Sequence, residues 1–155
     1  MVTLFVARPA GTSHELLQLR RISGDYMGGT WQTVRGMIET GETAAQAALR
    51  ELGEETSLWP FELYALSSIE SLYIQHADTM WHCPVFGVIV SSGKVVLDAE
   101  HDEHRWVALE SIDRSFMWPT ERSLIREFRD EILGDGLTKP HLRIDLPLDP
   151  PRPLC

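Results

Sequence analysis

Residues 36–58 read GMIETGETAAQAALRELGEETSL, and the reading of the whole chain starts from the spacing of glycines and acids in this stretch. It fits the pattern G-x5-E-x7-R-E-U-x-E-E-x-G-U, with U apolar, at Gly36, Glu42, Arg50, Glu51, Leu52, Glu54, Glu55 and Leu58. Ser57 stands where the pattern asks for glycine. Thr43 followed by Gln46 forms a capping box, which predicts a helix starting at Thr43, and the alanines and Leu49 after it are strong helix formers. Helical spacing places Glu51, Glu54 and Glu55 on one face, because residues three and four apart lie above one another. Ala44 and Ala47 fall on that face one to two turns earlier and leave room for a ligand. Ala45, Leu49, Leu52 and Thr56 fall opposite, towards a core.

Crowded carboxylates repel each other and weaken a helix. Hard divalent cations with oxygen ligands remove the repulsion, and Mg²⁺ is the usual one beside phosphates. An acidic run by itself favours a solvated helix face, since charge runs usually face water. The upstream loop separates the two readings. Gly36 and Gly41 bracket a short turn, and Glu42 just before the helix suits the macrodipole and can hold Arg50. Ser57 bears only on the helix end, where glycine takes the left-handed cap at little cost and serine must strain or end the helix differently.

These residues resemble the Nudix box, the signature of hydrolases that split a diphosphate linked to another group. The resemblance implies an α/β (α+β) fold, a Nudix-type α/β/α sandwich with a central mixed sheet. It also implies that Glu51, Glu54 and Glu55 carry Mg²⁺ (or Mn²⁺), that the backbone carbonyl of Gly36 adds a ligand, and that Arg50 orients the glutamates. A second patch, EHDEHRW at 100–106, is similar to a pattern in one branch of the family that supplies a distal glutamate to the metals. Glu100 takes that position and Glu103 is the second choice. His101 and His104 are read as solvated or hydrogen-bonded loop histidines before they are read as ligand or base. Either Glu51 or Glu100 can serve as the base.

Arg20 and Arg21 end a predicted strand, where guanidinium suits phosphate oxygens, although solvent-facing strand-end charges fit them as well. Trp31 and Gln32 enter the box loop and offer a stacking face and an amide to a ring, against core packing for Trp31. Trp59, Trp81, Trp106 and Trp118 are read as core or rim aromatics.

The wider set LLQLRR, WQTVRGMIETGETAAQAALREL, EHDEHRW and WPTERSLIREF is similar to the dihydroneopterin triphosphate pyrophosphatase branch, which implies cleavage of that triphosphate or of dNTPs to monophosphate and pyrophosphate. A diadenosine polyphosphate hydrolase, with Tyr73 near the expected distance, is the competing enzyme. A non-catalytic nucleotide sensor is the reading from another class, and the intact Arg50, Glu51, Glu54 and Glu55 argue against it.

The 155 residues suit one domain, 1–155, with a Pro-rich tail from about 139. A net charge of −9 from 14 basic and 23 acidic residues argues against binding to nucleic-acid polymers or membranes. It makes local cations necessary for any phosphate-bearing small molecule. The charge leaves oligomeric state open. Cys83 and Cys155 make no disulfide framework, and MVTLFVARPAG lacks a basic n-region and a long apolar core. A reduced, cytoplasmic setting is expected.

Strands are expected at 2–7, 15–21, 31–34, within 61–75, as one run over 80–90 with Pro84 at an edge or bulge, at 95–97 after a hairpin turn at 91–94, and at 105–109. A second helix is expected over 120–133, ended by Gly134. The tail from Lys139 is expected to pack loosely.

Overall fold

A computed structural model describes residues 1–91 and 93–146; Ser92, Cys155 and Pro147, Pro150, Pro151 and Pro153 of the tail lie outside the described residues. The fold is mixed α+β. Strands β1 (Val2–Ala10), β2 (Ser13–Arg21), β3 (Trp31–Gln32) and β4 (Val34–Gly36) precede helix α1 (Ala44–Thr56). Then come β5 (Glu62–Ala65), β6 (Glu70–Ile74), β7 (Thr79–Cys83), β8 (Val85–Ile89) and β9 (His101–Ala108). Helices α2 (Ile112–Ser115), α3 (Pro119–Glu127) and α4 (Lys139–Leu142) and strand β10 (Arg143–Ile144) complete the described chain.

One sheet runs β10-β5-β8-β1-β2-β3, with β4 added to β1 and β9 to β2. Among the described residues only β1 and β8 run parallel, so the sheet is mixed. Its two faces carry separate cores, as strand alternation requires. Leu4, Val6, Leu17, Leu19, Val34, Phe86 and Val88 pack with Ala47, Ala48, Leu49 and Leu52 of α1. Phe5, Ala7, Leu16, Tyr64, Val85 and Val107 pack with Ile112, Leu124, Ile125, Phe128 and Ile132. Gly87 permits this second layer, because a Cβ there would overlap the Phe128 ring.

The expected helix over 120–133 is two pieces. Regular α3 stops at Glu127, and Phe128–Leu133 continues as a π-helical segment capped by Gly134. The expected single strand over 80–90 is also two. Pro84 has no N–H to donate to a ladder, and the chain changes sheets there: β7 pairs with β6 in a separate hairpin and β8 joins the main sheet. No strand forms at 95–97. Val95 is buried and the Val96 N–H donates to the Thr56 carbonyl at 2.9 Å, so this segment closes over the end of α1 instead. The segment after Lys139 does not pack loosely throughout, since β10 pairs Arg143 with Tyr64 and Ile144 with Leu63 at the sheet edge. Cys83 is buried and free. Among the described residues no helix is long and apolar enough to cross a membrane.

Candidate active site

Both halves of the capping box form at the start of α1. Thr43 N–H donates to Gln46 Oε1 at 2.8 Å, and Gln46 N–H donates to Thr43 Oγ1 at 3.2 Å. At the other end Ser57 is left-handed, φ 57 and ψ 19, and its N–H donates to the Gly53 carbonyl. Serine therefore occupies the cap that glycine would fill, with the backbone strain that implies.

The buried arc of α1 is wider than spacing indicates. It takes in Ala47 and Ala48, which lie in the core and leave no ligand space, and it reaches Glu55. Ala45 lies at its margin. Along the acidic edge the exposure is graded: Glu55 is buried, Glu51 mostly buried and Glu54 open to solvent.

Arg50 organises this edge. Its Nε and Nη2 donate to the two Glu42 oxygens at 2.9 and 3.1 Å. Nη1 donates to Glu51 Oε1 at 2.8 Å and Glu54 Oε2 at 2.9 Å, and Nη2 reaches the Met37 carbonyl at 2.8 Å. One guanidinium thus ties the loop after β4 to three acids. It lies between Glu51 and Glu54, and no three acidic, His or Cys side chains among the described residues converge at metal-ligand distance. Gly36 sits directly against the Glu51 side chain.

Burial raises Glu51 above the usual carboxylate range, with Arg50 opposing. Glu55 is pushed up to about 9, first by burial and then by the charges of Glu51, Asp98 and Glu100; a hydrogen bond from the Arg35 backbone N–H opposes the shift. Glu100, whose charge is one of those acting on Glu55, is exposed and paired with Arg21 at 3.2 Å.

Asp98 was not found from the sequence. Its Oδ1 accepts the Glu100 N–H at 3.1 Å and faces His101 Nδ1 at 2.8 Å. The available signal was its place two residues before Glu100. His101 is buried against Asp98, not solvated, and His104 is exposed on β9.

Strand pairing divides the remaining candidates. Leu19 lies opposite Gln32, and Arg20 opposite Trp31. Gln32 therefore shares the α1 side of the sheet with Leu19, Val34 and Gly36, and Trp31 projects from the other side. The two cannot grip one ring from adjacent positions on the same face. Trp31 instead lies under Arg105, whose guanidinium carbon is 4.1 Å from the ring centroid, with Arg20 at 5.8 Å. Arg105 is held there by two hydrogen bonds to Gln18 Oε1, at 2.9 and 2.7 Å. Arg20 is occupied by Asp102 and Glu103, each at 2.7 Å, which also takes Glu103 away from Glu55.

Arg21 belongs to the acid cluster through Glu100 and also pairs with Asp25. Among the described residues two buried side-chain polar atoms lack a hydrogen-bond partner, Arg21 Nε and Glu55 Oε2. One is a donor and the other an acceptor; Glu100 pairs with Arg21, and its charge is among those that raise Glu55. Tyr73 is exposed on the β6–β7 hairpin with its hydroxyl on Asp78. The cavity of about 470 Å³ lined by Arg8, Glu15, Gly93 and Trp106 includes no residue of the 36–58 stretch.

The NUDIX domain family matches residues 2–128. An oxidized purine nucleoside triphosphate hydrolase of Danio rerio is 35% identical over 92 residues, 58% of this chain and 56% of that protein. A dihydroneopterin triphosphate diphosphatase of Escherichia coli is 42% identical over 55 residues, 36% of this chain and 34% of that protein. The first curated relatives are matched over 30% to 56% of their own length. Among solved structures, a NUDIX hydrolase from Listeria monocytogenes superposes with a TM-score of 0.72 at 25% identity, covering 87% of this chain and 94% of that one. With the family model matched over residues 2–128 and the box assembled on α1, the chain belongs to the NUDIX domain family.

Proposed function

We propose that the protein is a divalent-metal-dependent pyrophosphohydrolase acting on a nucleoside-triphosphate-like substrate, dihydroneopterin triphosphate first and a dNTP second. Cleavage between the α and β phosphates would release the monophosphate and pyrophosphate. The observation that carries the reading is the pair of unpartnered buried atoms, Glu55 Oε2 and Arg21 Nε, with Glu100 paired to Arg21 and its charge acting on Glu55. Buried polar atoms are otherwise satisfied, so an orphan acceptor and an orphan donor together suit a cation and a phosphate oxygen.

The residues fit Mg²⁺ or Mn²⁺. Once Glu51 and Glu54 turn from Arg50, they would with Glu55, Glu100 and the Gly36 carbonyl supply an all-oxygen donor set, the kind a hard cation takes. When bound, the metal would neutralise phosphate charge and make water a better nucleophile at neutral pH. The chain's own part is to place these groups. Arg50 releases or holds Glu51 and Glu54 through a single guanidinium, Arg21 presents a donor to the diphosphate, and Glu51 or Glu100 accepts the proton of the attacking water. Gln32, on the α1 side, retains the role of a hydrogen-bonding group for the ring. Trp31 with Arg20 and Arg105 forms a separate patch on the opposite side, so its stacking role would need a substrate that reaches around the sheet edge. The free, buried Cys83 suits a reducing cytoplasmic compartment.

Product analysis over dihydroneopterin triphosphate, dATP, 8-oxo-dGTP and diadenosine tetraphosphate, with Mg²⁺ and with EDTA, tests the proposal. Pyrophosphate from a triphosphate, only with metal, is the expected result. Preference for diadenosine tetraphosphate with ATP and AMP as products, and no pyrophosphate from any triphosphate, would replace the substrate.

A further inference from the structure

Away from the acidic edge of α1, a second charged cluster is buried on the α3 side of the sheet. Arg35 Nη1 donates to Glu70 Oε2 at 2.7 Å, and Nη2 donates to Glu70 Oε1 at 2.9 Å and to Glu121 Oε1 at 2.8 Å. Thr3 Oγ1 donates to Glu70 Oε2 at 2.7 Å. Glu70 is 0% and Glu121 2% exposed. Four segments meet at this point: β1 through Thr3, β4 through Arg35, β6 through Glu70 and α3 through Glu121.

Such a cluster is a poor source of stability. Desolvating one cation and two carboxylates costs several kcal/mol per ion, and apolar replacements of buried ion triads are often neutral or stabilising. What it does supply is a fixed position for β4. That strand has three residues and pairs with β1 alone, so few backbone hydrogen bonds hold it. Alternation sends the Arg35 side chain to the cluster while the adjoining Val34 and Gly36 face α1. Gly36 gives Glu51 the space its side chain fills, and the Arg35 backbone N–H, on the strand edge away from β1, acts to lower the raised Glu55 carboxyl.

We propose that Arg35, Glu70 and Glu121 are positioning residues, a clamp on β4 that sets the Arg35 N–H and the Gly36 backbone against Glu55 and Glu51. The clamp makes the acid cluster depend on the β6–β7 hairpin and on α3, neither of which contributes an acid to it. The inference rests on the hydrolase reading above for its consequence in turnover, and on geometry alone for its consequence in β4.

The test uses the full chain with two variants, Glu70→Gln and the apolar triple Arg35→Met/Glu70→Leu/Glu121→Met. Four quantities are read: Mn²⁺ affinity by electron paramagnetic resonance of free Mn²⁺, kcat and KM, melting temperature, and amide hydrogen exchange at Arg35. In Glu70→Gln the Mn²⁺ dissociation constant is expected to rise by about 10-fold, the scale for groups that orient metal ligands. kcat should fall with KM little changed, and Arg35 should exchange faster. The triple variant should show the same losses at a melting temperature equal to or above wild type, which a purely stabilising cluster would not. If it fails to fold, Glu70→Gln decides. Wild-type Mn²⁺ affinity and wild-type exchange at Arg35 in Glu70→Gln would overturn the proposal, whatever the melting temperature does. A wild-type protein that neither binds Mn²⁺ nor hydrolyses would count against the hydrolase reading, and the exchange comparison would still decide the clamp.

Discussion

Gly36 and Glu51 occupy one space: a Cβ built on Gly36 would overlap the carboxyl group of Glu51. The first residue of the box is thus glycine because the helical acid lies on top of it. The backbone of Gly36 is not left-handed, so alanine is tolerated conformationally and the strain falls on the flexible end of Glu51. Gly36→Ala should therefore cost little stability, about 1 kcal/mol or less. Turnover should fall by about 10–100-fold as Glu51 is displaced. Paired melting and kinetic measurements check this; wild-type turnover would show that Glu51 works from another position.

Arg50 touches Glu42, Glu51, Glu54 and the Met37 carbonyl. Lysine keeps the charge but not the planar fork that spans these partners. Arg50→Lys should lower kcat by about 10–100-fold. Kinetics at saturating Mg²⁺ provide the check, and retention of kcat would reduce Arg50 to a charge-balancing role.

Ser57 holds a left-handed cap. Ser57→Gly should stabilise the chain by about 0.5–1 kcal/mol. For a domain of this size that is roughly 1–4 °C in melting temperature. An unchanged or lower value would mean that the unfolded-state entropy of glycine outweighs the relieved strain.

The distal acids separate by position. Glu100 and Asp98 act on Glu55, whereas Glu103 is bound to Arg20 on β2. Glu100→Ala should lower turnover more than Glu103→Ala, and Asp98→Ala should also lower it by loosening the Glu100 and His101 turn. Loss confined to Glu103→Ala would move the distal role to that residue.

Local rules carried the sequence reading well where partners are close in the chain. Thr43 with Gln46 marked the start of α1, Ser57 its end, and Glu42 the partner of Arg50. The reading failed where the deciding neighbour is remote. Nothing local tells Arg35 that Glu70 and Glu121 await it, and Pro84 looked like a bulge until the chain was seen to change sheets there. Trp31 and Gln32 were joined by adjacency, although a strand sends adjacent residues to opposite faces. The buried arc of α1 is wider than its own spacing indicates because it is set by the strand residues packed around Ala47 and Ala48, remote in the chain.

On the proposed reading, the buried Glu55 carboxyl is held for a cation used in turnover. The most direct measurement is pyrophosphate release from a triphosphate by wild type and by Glu55→Gln, with Mg²⁺ and with EDTA, alongside melting of both metal-free proteins. Wild type should turn over only with Mg²⁺. Glu55→Gln should lose on the order of 100-fold or more in kcat. It should melt no lower than wild type, because burial already holds the metal-free Glu55 carboxyl in its neutral form and glutamine is a neutral side chain of the same size. Turnover by Glu55→Gln near the wild-type rate, or undiminished wild-type turnover in EDTA, would contradict the account.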